Sequence, residues 1–250
     1  MTLAPEKTQP VDIEWIKNSI STDFSTLNQL ILDSIDANIP IIKAIANHIL
    51  SAGGKRLRPL IVLLFANHFE RRHIEEQIEL ATVIEFVHTA TLLHDDVIDR
   101  SSLRRGQQSA NALWGTHAPI LVGDYLYSKA FQLLSSRYNP PVMQVLARTT
   151  SILAEGEILQ MTQQSTLINR EQYFDTIYRK TASLLETASQ SAAIVAEQDP
   201  ATVDACQLYG KHVGLAFQIT DDVLDYTAKS QGLGKQLGDD IREGKMTLPL

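Results

Sequence analysis

The chain has 250 residues, 44% hydrophobic composition and a formal net charge of -7, enough for one large core or two ordinary domains. Its basic residues are scattered or in short clusters, which argues against a nucleic-acid partner, since backbone phosphates require a basic face. A single cysteine, Cys206, precludes an intramolecular disulfide and fits a reducing, cytoplasmic compartment. With 12 Gly and 9 Pro and no linker-like stretch, we read one domain over residues 1–250.

Residues 1–10 carry no apolar stretch, and the longest unbroken apolar run, 60–66, is far short of a membrane span. Any membrane contact is therefore expected to be peripheral. Apolar residues recur at three and four almost throughout, with no sustained alternation, so the fold class is all-α. The periodicity predicts helices over about 13–37, 41–52, 60–69, 74–98, 120–138, 142–161, 170–196 and 202–226. Pro140 and Pro141 suit a helix start, Asp199 with Pro200 marks a turn, and three glycines make 230–238 a mobile connection. Cys206, Trp15, Trp114 and His94 read as packing or structural residues, and Arg71 and Arg72 as a solvated helix end.

Two helices end on the same acidic pattern, Asp95-Asp96-Val97-Ile98-Asp99 and Asp221-Asp222-Val223-Leu224-Asp225. Residues four apart share a helix face, so each motif stacks two carboxylates about 5–6 Å apart at Cβ. One such motif is more often a solvated surface. Two copies, each preceded by apolar residues and flanked by cations, point instead to a divalent metal with hard oxygen ligands, Mg2+ or Mn2+, that shares its coordination with water and phosphate. Thr91 lies one turn beneath Asp95, and His88 two turns beneath it. Downstream, Arg104 and Arg105 precede Gly106 in a loop, where guanidinium forks suit phosphate oxygens. Upstream, Gly53-Gly54-Lys55-Arg56-Leu57-Arg58-Pro59 places three cations on a Gly-rich turn. A metal site beside two anion sites suggests two diphosphates.

The order Gly-Gly-Lys-Arg-Leu-Arg-Pro, then Glu85 to His94 leading into the first aspartate motif, Arg104-Arg105-Gly106, Lys180-Thr181, Phe217-Gln218 before the second motif, and Gly234-Lys235 through Gly244-Lys245 resembles the trans-polyprenyl diphosphate synthases, most closely the octaprenyl type. The resemblance covers about 41–250. It implies an isoprenoid-synthase-type helical bundle around a central cavity, usually in a homodimer. It further implies Mg2+ held by Asp95, Asp99 and Asp221, with Asp96, Asp222 and Asp225 in supporting roles. By the same resemblance Lys55, Arg58, His88 and Arg105 would hold isopentenyl diphosphate. Arg104, Lys180, Thr181, Gln218 and Lys235, with Lys245, would engage an allylic prenyl diphosphate, and the product would supply a quinone side chain.

Ala90 and Thr91, small residues just below the first motif, predict a deep tunnel and a long product; Phe131 on a neighbouring helix is a candidate for its floor. Such synthases continue beyond the segment at 244–250, so the chain is expected to lack their C-terminal helices. Two rivals are a non-catalytic helical partner subunit, which would typically lack an aspartate motif, and a single-substrate terpene cyclase or diphosphate hydrolase, which would not need Lys55, Arg58 and Arg105.

Overall fold

The computed structural model describes residues 13–35, 38–137, 139–163, 166–227, 244, 247 and 248. It is an α-helical bundle in this order: α1 (Ile13–Ser19), α2 (Ser21–Ser34), α3 (Pro40–Ser51), α4 (Leu57–His68), α5 (Ile74–Ile98), a hairpin of β1 (Leu103–Arg104) and β2 (Gln107–Gln108), α6 (Ala110–Trp114), α7 (His117–Arg137), α8 (Pro140–Gln163), α9 (Arg170–Ile177), a π turn (Tyr178–Ala182), α10 (Ser183–Val195) and α11 (Pro200–Thr227). Among the described residues no helix is long and apolar enough to cross a membrane.

The centre of the bundle is α5. Ile84, Phe86, Val87, Ala90 and Leu93 are all fully buried although they point in different directions around the axis, as expected of a helix that is apolar all round. Its neighbours are α7, α4, α10 and α2. At its C-terminal end α7 comes so close that a Cβ on Gly123 would stand 2.2 Å from the His94 ring. Small residues set the α10–α11 crossing in the same way. A Cβ on Gly214 would lie 2.5 Å from the Ala182 backbone, and one on Gly210 would meet the Ser189 side chain and the Leu185 carbonyl. This close approach seats the second aspartate motif on the bundle.

Several expected elements are corrected. The first helix breaks at Ile20, whose backbone departs from helical geometry. The helix expected at 170–196 is divided by the π turn, a feature often found at functional sites. The Arg104–Gly106 loop is the tip of a hairpin pairing Leu103 with Gln108 and Arg104 with Gln107. Arg105 and Gly106 both have positive φ, 52° and 78°, as a two-residue hairpin turn demands. Trp15, expected to pack, is 61% exposed, whereas Trp114 and Cys206 do pack.

The helix end at Arg71 and Arg72 is not simply solvated. Arg71 makes a two-pronged contact to the buried Asp23 of α2, one arm at 2.8 Å, and Arg72 pairs with Glu197 across the fold. Arg71→Ala would strand the Asp23 carboxylate in an apolar setting, so the unfolding free energy should fall by about 1–3 kcal/mol, read as a lower denaturant midpoint.

Candidate functional site

Both aspartate motifs lie at helix C-termini, where the macrodipole and the like charges already present disfavour carboxylates. Burial pushes Asp95 up to about 7; Lys180 opposes that shift, and Glu157, which also hydrogen-bonds to it, and Asp99 reinforce it. Asp222 is buried and likewise raised, first by desolvation, with Asp221 and Asp225 adding repulsion and hydrogen bonds from Tyr173 and Gln218 opposing it. A divalent cation would relieve the repulsion among crowded acids at such negative helix ends.

The two motifs meet at the π turn. Lys180 faces Asp95, and its ammonium donates to Glu157 at 2.7 Å and to Gln160 at 2.5 Å, both on α8. The next residue, Thr181, donates to Gln218 Oε1 at 2.8 Å. Gln218 in turn donates to Asp222 Oδ1 at 2.8 Å, and Tyr173 donates to Asp222 Oδ2 at 2.5 Å. Adjacent residues of one turn therefore connect to the first motif on one side and to the second on the other.

The aspartates divide by environment. Asp96 is fully buried and accepts from Arg104 Nε at 2.9 Å, while its Oδ2 has no partner. Its backbone carbonyl takes Asn111 Nδ2 at 3.1 Å and Ser101 N at 3.0 Å. Asp95, Asp99 and Asp225 are partly accessible and Asp221 is exposed. Among the described residues, no three acidic, histidine or cysteine side chains converge closely enough to hold an ion alone. The set Asp95, Asp99 and Asp221 is thus not gathered around one point. The donors fit a hard divalent cation that takes one or two carboxylates from each side and completes its shell with water and phosphate.

Beside the first motif lies a cationic cradle. Arg58, on α4, donates through Nη1 to His88 Nε2 at 3.1 Å, which requires His88 to be the neutral tautomer with its proton on Nδ1. Burial, then Arg58, Arg105 and Arg104, hold His88 well below its ordinary range. Burial lowers Arg58 to about 10, with Glu85 pulling against it, and Arg58 Nε has no partner. Arg105, at the hairpin tip, donates to the Gly53 carbonyl, and a Cβ on Gly54 would collide with its guanidinium at 2.6 Å. Arg56 turns inward to Asn28 and Glu85, and Lys55 is exposed on the loop. The hairpin is held from below by His48, whose Nε2 lies 2.8 Å from the Gln108 carbonyl.

The structure thus brings Arg58, His88 and Arg105 into one cluster, and Asp95, Lys180, Thr181, Gln218 and Asp222 into another, with Asp96 and Arg104 beside the first motif. Lys235, Lys245 and the connection at 230–238 lie outside the described residues. Sequence reasoning missed Glu85, Glu157, Gln160, Tyr173 and Asn111. Only Glu85 left a trace: it is a charged residue inside an apolar helical run, three positions before His88.

A helical bundle with two carboxylate motifs facing cationic cradles defines a metal-assisted enzyme of diphosphate substrates with the isoprenoid-synthase fold. Residues 39–250 match the family model described as Polyprenyl synthetase, and the chain belongs to that family. It is 44% identical to the octaprenyl diphosphate synthase of Haemophilus influenzae over 98% of this chain and 74% of that protein. A polyprenyl synthase from Caulobacter crescentus, solved in complex with calcium and isoprenyl diphosphate, superposes with a TM-score of 0.92 at 40% identity over 97% of this chain and 74% of that one. A decaprenyl diphosphate synthase from Rhodobacter capsulatus does so with a TM-score of 0.89, also at 40% identity, over 95% and 74%. The chain therefore spans about three quarters of the length of each. It is a prenyltransferase that makes polyprenyl diphosphates.

Two predictions follow from the partners of these residues. Tyr173→Phe removes a hydrogen bond from Asp222 without changing shape; apparent affinity for the divalent ion should weaken about 10–100-fold, read as the metal concentration giving half-maximal activity, with circular dichroism unchanged. His88 is partly buried and held neutral, so the unfolded chain takes up a proton below its ordinary value of 6.5 that the folded chain refuses. Its contribution to stability is present above that pH and declines as pH falls towards its lowered folded value. Denaturant midpoints between pH 7 and 5 should fall less steeply for His88→Gln than for the unaltered chain.

Proposed function

We propose that this chain condenses isopentenyl diphosphate onto an allylic primer to make octaprenyl diphosphate, using Mg2+ or Mn2+, and that it works as a homodimer. The observation that carries the reading is the joining of the two acidic motifs through adjacent residues of the π turn, with Lys180 against Asp95 and Thr181 against Gln218. In this reading Asp95, Asp99 and Asp221 hold separate divalent ions that share the substrate diphosphate, and Asp96, Asp222 and Asp225 position Arg104, Gln218 and neighbouring groups. The calcium in the Caulobacter complex supports an oxygen-rich divalent site, and the carboxylate chemistry favours the smaller ion. When bound, the ion supplies neutralisation of the leaving diphosphate.

The chain's own residues supply the remainder. Lys180, Thr181, Gln218 and Arg104, with Lys235, orient the allylic diphosphate so that its C–O bond breaks with the electron pair leaving on oxygen. Arg58, Arg105 and Lys55 clamp the diphosphate of isopentenyl diphosphate, and neutral His88 accepts from Arg58, keeping its fork turned to the anion. The isopentenyl double bond attacks the allylic carbon, a new C–C bond forms, and a proton passes to the departed diphosphate. The alkene is restored one five-carbon unit longer. The fully buried Ala90, and Thr91, whose hydroxyl is engaged by the His88 carbonyl at 2.7 Å, present little bulk and no unsatisfied polar group to a growing hydrocarbon tail.

With farnesyl diphosphate, labelled isopentenyl diphosphate and Mg2+, the dephosphorylated products should form a ladder ending at the octaprenyl chain, and Ala90→Phe should end it within one or two additions. A ladder from the unaltered chain that stops at three or four isoprene units would overturn the assigned length. Absence of any product would favour a non-catalytic partner subunit.

A further inference from the structure

The hairpin between α5 and α6 carries two arginines of the site but has little of its own to hold its shape. Its strands are two residues each, Leu103, Gln107 and Gln108 are exposed, and an isolated hairpin is marginal in water. Contacts with its surroundings therefore decide where its tip stands. The base is closed by Ser109, which donates through its backbone N–H to the Ser102 carbonyl at 3.0 Å and through Oγ to the Ser101 carbonyl at 2.6 Å. Arg104 is tied separately to the buried Asp96 of α5.

Bonded and non-bonded pairs alternate along an antiparallel ladder. Ser102 with Ser109 is a bonded pair, so the next, Leu103 with Gln108, is a non-bonded one, and the Gln108 carbonyl points away from the partner strand. His48 of α3 meets it there. Its Nε2 lies 2.8 Å from that oxygen, and since a carbonyl only accepts, Nε2 carries the proton. The Trp114 ring stands edge-on to the imidazole, with centroids 5.3 Å apart at 73°, which fixes the direction in which the N–H points. Five residues further on, at the exit of the same helix, the Gly53 carbonyl accepts from Arg105, whose guanidinium fills the space a Cβ on Gly54 would need. The C-terminal end of α3 thus grips the hairpin twice, at its second strand and at its tip.

We propose that His48 is a positioning residue for the isopentenyl diphosphate half of the site: through the Gln108 carbonyl it sets the hairpin so that Arg105 stands beside Arg58 and His88. The inference rests on the assignment of Arg105 to that diphosphate. His48 touches the hairpin backbone, and Arg105 touches the substrate. Arg104 keeps its own anchor in Asp96, so the allylic half does not depend on His48.

Equilibrium binding of labelled isopentenyl diphosphate, with Mg2+ and no primer, reads this without turnover. His48→Leu removes the donor and should weaken binding about 3–10-fold, while binding of farnesyl diphosphate stays unchanged. His48→Asn, whose shorter amide does not reach the carbonyl, should do the same and replaces His48→Leu if that protein fails to fold. His48→Gln, whose amide can donate to the same oxygen, should recover most of the loss. In an Arg105→Gln background the loss of His48 should weaken binding no further, because the group it positions is gone. Equal weakening towards both substrates, additive effects of the two substitutions, or unchanged binding in folded His48→Leu and His48→Asn proteins would overturn the positioning role and leave the synthase reading standing. Unchanged binding in Arg105→Gln alone would overturn the assignment of the cradle, and the inference with it.

Discussion

The contact on which the site depends is the pair of adjacent residues in the π turn, Lys180 and Thr181. Lys180 is the cation that acts most strongly on Asp95, and it is held by Glu157 and Gln160 of α8. Thr181 fixes the Gln218 amide, and the amide orients Asp222, which Tyr173 steadies from the other side. Four helices (α5, α8, α9 and α11) and a turn are thereby linked through these side chains. Because Gly214 lets α11 lie directly against Ala182, the second motif is seated by backbone packing as well as by this chain of hydrogen bonds. A shift of the π turn would disturb both metal halves together, which is how one local irregularity comes to govern a site spread over α5, α8 and α11.

The electrostatics divide into two halves of opposite sign. Around the aspartates, burial raises carboxylates that also sit at the negative ends of helices. Around Arg58 and Arg105, burial lowers guanidinium groups, and Glu85, itself raised by burial, is the strongest counter-charge, with Asp95 and Asp96 acting from the first motif. The first half is rich in carboxylates and the second in guanidinium groups, which suits the two components of a metal diphosphate. Unpartnered buried atoms occur in both, at Asp96 Oδ2 and at Arg58 Nε and Glu85 Oε2. Such atoms are costly to leave unpaired in an apo fold and become useful once a charged ligand or its waters arrive.

How much of this was legible in the sequence depended on the range over which a signal acts. The helix carrying the first motif was placed at 74–98, and α5 spans Ile74–Ile98, because fourteen of its residues face one core or another and its periodicity is unbroken. The aspartates could be located, but not their division of labour, since Asp95 and Asp96 differ only in which helix they face. The hairpin escaped notice because strands of two residues are too short to show alternation. The break at Ile20 has no Gly or Pro to announce it, and a π turn is a shift of hydrogen-bond partner with no composition of its own. Arg71 read as solvated because its partner, Asp23, lies 48 residues away; Glu157 and Tyr173 escaped for the same reason.

One helix carries most of what the function requires, in chain order. The N-terminal part of α5 is pinned to α7 by the Glu79–Arg137 pair, the middle supplies the buried apolar wall, His88 reaches the arginine cradle, and the last turn bears the aspartates. With 25 residues it is about 37 Å long, close to the roughly 40 Å of an extended octaprenyl tail on carbon–carbon geometry. This near equality has a physical consequence. A product much shorter than the helix can be set by one bulky residue near the aspartates, because the tail meets it early. A product as long as the helix cannot, since every residue on the wall must let it pass, and the length is then decided where the wall ends and water begins.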